Sequence, residues 1–228
     1  MWKKGRGILS AFAGMNQGEI RDCHAKLSRS SEEDIQPFCS QNKGIIITVS
    51  GISDEKMMAY HDMEEGEPRY VIEVRSAGQL QEICKQVNLG DSFYCNGYYR
   101  LENDLDMHGM KWIPMGISAH EPFCGVFDGN GYSIKNINVK GNLKGCSGFF
   151  GYLKQAVVKQ LSIEGRVTGG VYTGAFAGVV EDSDITSCFA SAHVYGRHYT
   201  GGFVGMNSGR IQHCYWAGVV ANRKAWIV

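Results

Sequence analysis

The sequence has almost no proline, no net charge and no long apolar run. Four prolines in 228 residues exclude a proline-rich linker or a low-complexity chain. Lysine plus arginine number 23 and aspartate plus glutamate 23, so the formal charge is +0. A neutral chain has no electrostatic reason to seek nucleic acid or an anionic membrane surface. No apolar stretch approaches the ~18 residues of a membrane span. The basic opening MWKKGRGILSAFAG has too short an apolar part to read as a signal peptide. Signatures of chemistry are missing too. The 8 cysteines form no C-x-x-C pair, and there is no H-E-x-x-H, no G-x-S-x-G and no phosphate loop. No catalytic, cofactor or metal residue is expected.

Glycine is abundant instead: 30 residues, about 13% against a usual ~7%. High glycine with low proline points to many tight turns. The stretches AFAGMNQGEIRDCHA (11–25) and GGFVGMNSGRIQHCYWAG (201–218) are nearly the same text. Aligning on one phenylalanine gives six copies, at Phe12, Phe38, Phe127, Phe150, Phe176 and Phe203, with adjacent spacings of 23 to 27 residues. An aliphatic follows each: Ile20, Ile46, Ile134, Val158, Ile185 and Ile211. Then come Cys23, Val49, Ile137, Leu161, Cys188 and Cys214, and after them Ala25, Gly51, Val139, Ile163, Ala190 and Trp216. Asn-x-Gly and Asn-Gly pairs between them read as positive-φ turns. Short β-like runs at this period, with no helical spacing and no leucine-rich pattern, predict a parallel β-solenoid with these positions as its inward rungs.

The middle of the chain differs. YVIEV (70–74) alternates as a strand, and a helix is predicted over about 76–88. Ser76 is its N-cap, Leu80, Ile83, Cys84 and Val87 share one face, and Gly90 stops it. Such a helix ahead of a repeat array suits a cap over the open end. The reading is therefore mainly β: a right-handed parallel β-helix with one short capping helix. Its parts are two coils in 1–52, a charged linker over 53–69 and a capped solenoid over 70–228.

The pieces VIEVRSAGQLQEICKQVNLG, YYRLENDLDM, WIPMG, FCGVFDGNGYSIKNINVKG, GFFGYL, GAFAGVV and GGFVGMNSGRIQHCYWAG, in that order, resemble the GLUG-motif repeat proteins of bacteria. They cover about two thirds of the chain, and PFCSQNKGIIITV departs from the pattern at Pro37 and Ser40. The resemblance implies right-handed β-helix modules of adhesins and of accessory regions in large secreted proteins, immunoglobulin A peptidases among them. It implies a secreted or cell-surface location and a binding or spacer role, with no catalytic residues to carry over.

Cysteines that exchange with Val, Ile and Leu at one rung read as buried, reduced core thiols. Asp104 and Asp106 have strand spacing, as paired acids or calcium ligands would, but no coil repeats an aspartate in register. Asp128 reads as a turn residue. The most ligand-like stretch is HVYGRHYTGG (193–202), where Tyr195, Arg197, His198 and Tyr199 gather in a loop suited to protein or glycan contact. The expected function is non-enzymatic binding or spacing, adhesin-like, with possible self-association through open solenoid ends. The alternatives are an intracellular protein-interaction scaffold, which unpaired thiols favour, and a carbohydrate-active β-helix enzyme.

Overall fold

A computed structural model describes residues 9–10, 12–27, 39–42, 45–47, 71–141 and 144–222. The linker expected over 53–69, and the repeat positions Phe38, Val49 and Gly51, lie outside the described residues. The fold is mainly β, and its strands form three sheets of 4, 11 and 6 strands, with every strand pair parallel. From Cys146–Ser147 onward the chain visits the sheets in one repeating order. It passes from the small sheet to the large sheet (Phe150–Lys154, Val157–Lys159), then to the third sheet (Ser162–Thr168), then back to the small sheet (Tyr172–Thr173). Two further circuits follow, through Ala177–Thr186 with Phe189–Gly196, and through Tyr199–Gly201, Val204–Gln212 and Tyr215–Asn222.

Register turns the circuits into inward ladders. Val158 pairs with Ile185, Ile185 with Ile211, and Ile211 with Ile20. On the third sheet Ile163, Ala190, Trp216 and Ala25 are successive partners. The small side chains of Ala190 and Ala25 leave room for the indole of Trp216, which is fully buried. A valine ladder, Val139–Val167–Val194–Val220, runs beside it; the sequence pattern offered only Val139 as a rung, and in the row of Ile163. Phe176 stacks on Phe203 at 4.7 Å between ring centroids, and Phe203 on Phe12 at 5.0 Å. One continuous buried cluster runs from Phe12 to Val220 and takes in the helix face.

The alignment of one coil is displaced throughout: Phe127 pairs with Val158, Ile134 with Ile163, Ile137 with Gly165 and Val139 with Val167. The corner after Phe127 is enlarged by a turn in which the Tyr132 amide donates to the Gly129 carbonyl at 2.8 Å. It leaves Phe127 seven residues before Ile134, mimicking the spacing from Phe to aliphatic elsewhere. Phe150 is also one residue out of step, because it pairs with Ala177 and so leaves Phe149 level with Phe176.

The Asn-x-Gly readings change as well. Asn16 and Asn207 are not turn residues. Both lie in strands, fully buried, and the Asn207 amide donates to the Asn16 side-chain oxygen at 2.9 Å. Positive φ falls at the Asn-Gly pair Asn130 (50°) and Gly131 (80°), as expected, and also at the one-residue corners just before the rung cysteines and Leu161: Asp22 (46°), Gln160 (52°), Ser187 (55°) and His213 (52°).

The helix forms where expected: α1 spans Ala77–Asn88, Ser76 accepts the Gln79 amide, and Leu80, Ile83, Cys84 and Val87 are buried. A second short helix, α2 (Ser92–Cys95), follows behind the N-cap Asp91. Asn88 clamps α1 to the segment beneath it, donating to the Pro114 carbonyl at 3.0 Å and accepting the Gly116 amide at 2.8 Å. The strand before α1, Val71–Val74, is the last of the large sheet at that end.

At the opposite end stand the N-terminal strands. Ala13–Asn16 and Glu19–Arg21 pair with Val204–Gln212, and His24–Leu27 pairs with Tyr215–Asn222. Cys39–Asn42 and Ile45–Ile47 add the outermost layer. The N-terminal layers therefore continue the stack beyond the last circuit of the same chain.

Candidate functional site

The four loop residues sit at the corner between the third and small sheets. The Arg197 amide donates to the Gly170 carbonyl at 3.0 Å and the Tyr199 amide to the Val171 carbonyl at 2.8 Å, so this corner stacks on the one before it. Tyr195 lies under the guanidinium of Arg166, 4.9 Å from ring centroid to carbon, and its hydroxyl accepts from Arg166 at 3.3 Å. Tyr199 stacks on Tyr172 at 5.3 Å and 11°. His198 is exposed and Arg197 half-buried. The structure thus places the four in one turn but splits them in two. Tyr195 and Tyr199 engage side chains of the preceding circuit, while Arg197 and His198 form the outward tip.

The stacked tyrosines extend into a strip that the sequence reading missed. Burial raises the Tyr152 and Tyr172 hydroxyls above the ordinary tyrosine range, with Glu181 adding to it at Tyr152 and Tyr199 at Tyr172. The Tyr152 hydroxyl donates to Glu181, which also holds Lys154 at 3.0 Å. Those two partners, the hydroxyl first, depress the Glu181 carboxyl. Rings stacked on one another cover each other's faces and present edges outward. Sugar stacking uses exposed ring faces, so this strip supports edge contacts and hydroxyl hydrogen bonds instead.

The outward acids are engaged by their neighbours. Asp104 accepts the Ser133 amide at 2.8 Å and the Lys135 ammonium at 3.2 Å. Asp106 accepts from the Asn136 side chain at 2.8 Å and the His108 amide at 2.9 Å. These bonds hold both carboxyls below their ordinary range. Their contribution is present above the unfolded carboxylate range and fades as pH falls through the depressed values. Both groups are exposed, so solvent keeps that contribution small. Asp128 caps its own turn by accepting the Asn130 amide at 2.8 Å, and also binds the Tyr98 hydroxyl at 3.1 Å and Lys159 at 3.2 Å. Among the described residues no three histidine, cysteine or acidic side chains gather to hold a metal ion.

The rung cysteines are free and buried. Each thiol donates to the carbonyl two residues before it: Cys23 to Arg21 at 2.9 Å, Cys188 to Thr186 at 3.3 Å and Cys214 to Gln212 at 3.1 Å. Burial pushes the thiols of Cys23 and Cys214 far up, Cys84 up to about 12 and Cys146 up to about 11. Because all three are buried away from reagent, Cys23, Cys188 and Cys214 should be inert to alkylation in the folded protein and fully reactive after unfolding. Mass spectrometry of protein alkylated before and after denaturation checks this; disulfides among the three would refute it.

No protein-family model, no curated protein and no solved structure matches this chain.

Proposed function

We propose that this chain is a right-handed parallel β-helix of the GLUG-repeat type, acting as a non-enzymatic binding or spacer module of an adhesin-like or cell-envelope protein. The observation that carries the reading is the parallel register of circuits 26 and 27 residues apart, as in Ser147–Thr173–Thr200. That register fills the interior with apolar and hydroxyl ladders. A rod of this kind holds an outer surface at fixed spacing, about 4.8 Å per layer. The contact region for a protein or glycan is the corner of Tyr195, Arg197, His198 and Tyr199, with Arg197 and His198 at its tip. No helix among the described residues is long and apolar enough to cross a membrane.

The carboxylates favour binding over catalysis, since the exposed Asp104 and Asp106, the half-buried Glu181 and the buried Asp128 are each held by groups of their own or the next layer. A glycosidase or lyase needs a carboxylate poised toward substrate with its charge state tuned for proton transfer. The free thiols favour the second reading, an intracellular interaction scaffold. Purified protein incubated with a panel of polysaccharides is expected to release no reducing ends and no unsaturated products. Calcium is expected to leave the melting temperature unchanged. A ligand specific to the native state at a hundredfold excess over its Kd would add about 2.7 kcal/mol. Product formation, or a melting shift of that size with calcium, would replace the binding reading with the enzyme one and point to Asp104 and Asp106.

A further inference from the structure

Two cysteines outside the rung ladder meet beneath the cap. Cys95 closes α2, and Cys124 stands just ahead of the strand Val126–Asp128 in the next layer. The Cys124 amide donates to the Cys95 carbonyl at 2.8 Å. Two residues on, the Val126 amide donates to the Gly97 carbonyl at 3.0 Å, and Val126 pairs with Tyr98. Cys124 is therefore level with Asn96, one residue past Cys95. A layer spacing of ~4.8 Å and a residue step of ~3.3 Å put the two Cα atoms ~5.8 Å apart. Disulfides span Cα separations of about 4.4–6.8 Å, most often about 5.5–6 Å. Cys95 ends a helix and Asn96 is not extended (φ −107°, ψ 12°), so strand alternation does not turn the two thiols to opposite faces.

Their surroundings suit stepwise exchange. Cys95 is buried, and its thiol donates to the Val87 carbonyl at 3.4 Å. Cys124 is half-buried. Burial raises both thiols. The neighbouring Cys124 adds to that at Cys95, while the Lys154 ammonium acts the other way at Cys124. A reagent reaches Cys124 first, and Cys95 stands behind it as the resolving thiol. Cys146 is the other half-buried cysteine among the described residues, and its sheet partner is Tyr172, not a second thiol.

We propose that Cys95 and Cys124 are a redox-controlled staple, joined as a disulfide in an oxidising compartment and open in a reducing one. The oxidant is a small-molecule disulfide of the glutathione class. The Cys124 thiolate, its proton given to water, attacks one sulfur of the reagent, whose S–S bond breaks and releases one thiol. Cys95 loses its proton and attacks the Cys124 sulfur of the mixed disulfide, releasing the second thiol. The pair gives up two electrons and two protons, and the reagent disulfide becomes two thiols. The new bond ties α2 to the layer of Val126–Asp128, so the cap is held more firmly outside a reducing compartment than inside it. The inference does not depend on what the outer corner binds.

Folded protein is incubated with oxidised glutathione, quenched with N-ethylmaleimide in urea and cleaved by trypsin without reductant. Peptides 86–100 and 112–135 each carry one cysteine, so the bridge joins them into one species that reductant splits. That species is expected, together with a melting temperature roughly 5–10 °C above that of the reduced protein. Cys124→Ser is expected to melt alike with and without the oxidant. Glutathione retained on Cys124 with no joined peptide would overturn the proposal. A melting rise that persists in Cys124→Ser would overturn it as well. Should that variant not fold, the wild-type peptide map decides alone.

Discussion

Replacing Gly205 by valine is expected to abolish folding, or to lower the melting temperature more than any surface change. A Cβ at Gly205 would stand 2.6 Å from the Gly178 carbonyl oxygen, 2.6 Å from the Thr173 amide nitrogen and 2.8 Å from the Tyr172 carbonyl carbon. All three are backbone atoms of neighbouring layers, so no flexible side chain can yield. The equivalent positions Gly14 and Gly178 meet the same sheet just as closely, Gly14 at 2.7 Å from backbone and Gly178 at 2.6 Å. This glycine ladder lets the small sheet approach the large one. Overpacking costs ~1–3 kcal/mol where neighbours can shift and more where they cannot, against a total of about 5–15 kcal/mol for a domain. The control is Gly78→Ala on α1, where nothing lies within 4 Å; there alanine should stabilise by about 0.5–1 kcal/mol. Urea denaturation of both variants checks the pair. A folded Gly205→Val protein of wild-type stability would show that the two sheets do not approach this closely.

Removing residues 1–52 should cause self-association together with a marked loss of stability. The deletion uncovers Phe203, Val204, Ile211, Cys214 and Trp216, all at most 1% exposed in the intact fold. Each large apolar side chain returned to water forfeits about 1.5–3 kcal/mol. Asn207 loses the side-chain oxygen it binds on Asn16, and the carbonyls and amides of Val204–Gln212 and Tyr215–Asn222 become an open edge. Some of that loss is offset because the deleted layers no longer have to be ordered. Light scattering and thermal melting report the two effects. A truncated protein that stays monomeric and melts at the wild-type temperature would mean that the N-terminal layers contribute nothing to the stack.

The features legible in the sequence are those written in short-range pattern. Ser76, the apolar face of Leu80, Ile83, Cys84 and Val87, and the stop at Gly90 located α1 to within a residue, because a helix is set by contacts three and four residues apart. The ladder of Cys188, Cys214 and Cys23 was legible because cysteine alternated with apolar residues at a constant offset. Register was less legible, since spacing counts residues while pairing counts hydrogen bonds. The enlarged corner after Phe127 kept the apolar rhythm and still moved Phe127 onto the Val158 rung. Asn16 and Asn207 read as turn formers by type, yet each is buried by a neighbour almost two hundred residues away in the chain.

The sequence by itself determined that the chain is mainly β and that it carries a helix over Ala77–Asn88. Those properties follow from local periodicity and capping, which any stretch of chain carries with it. The tertiary structure alone decided that the abundant glycine serves close contact between sheets at Gly14, Gly178 and Gly205. It also decided that the first layers of the chain stand last in the stack. Both depend on which backbone lies alongside, a relation between distant segments that no local pattern encodes.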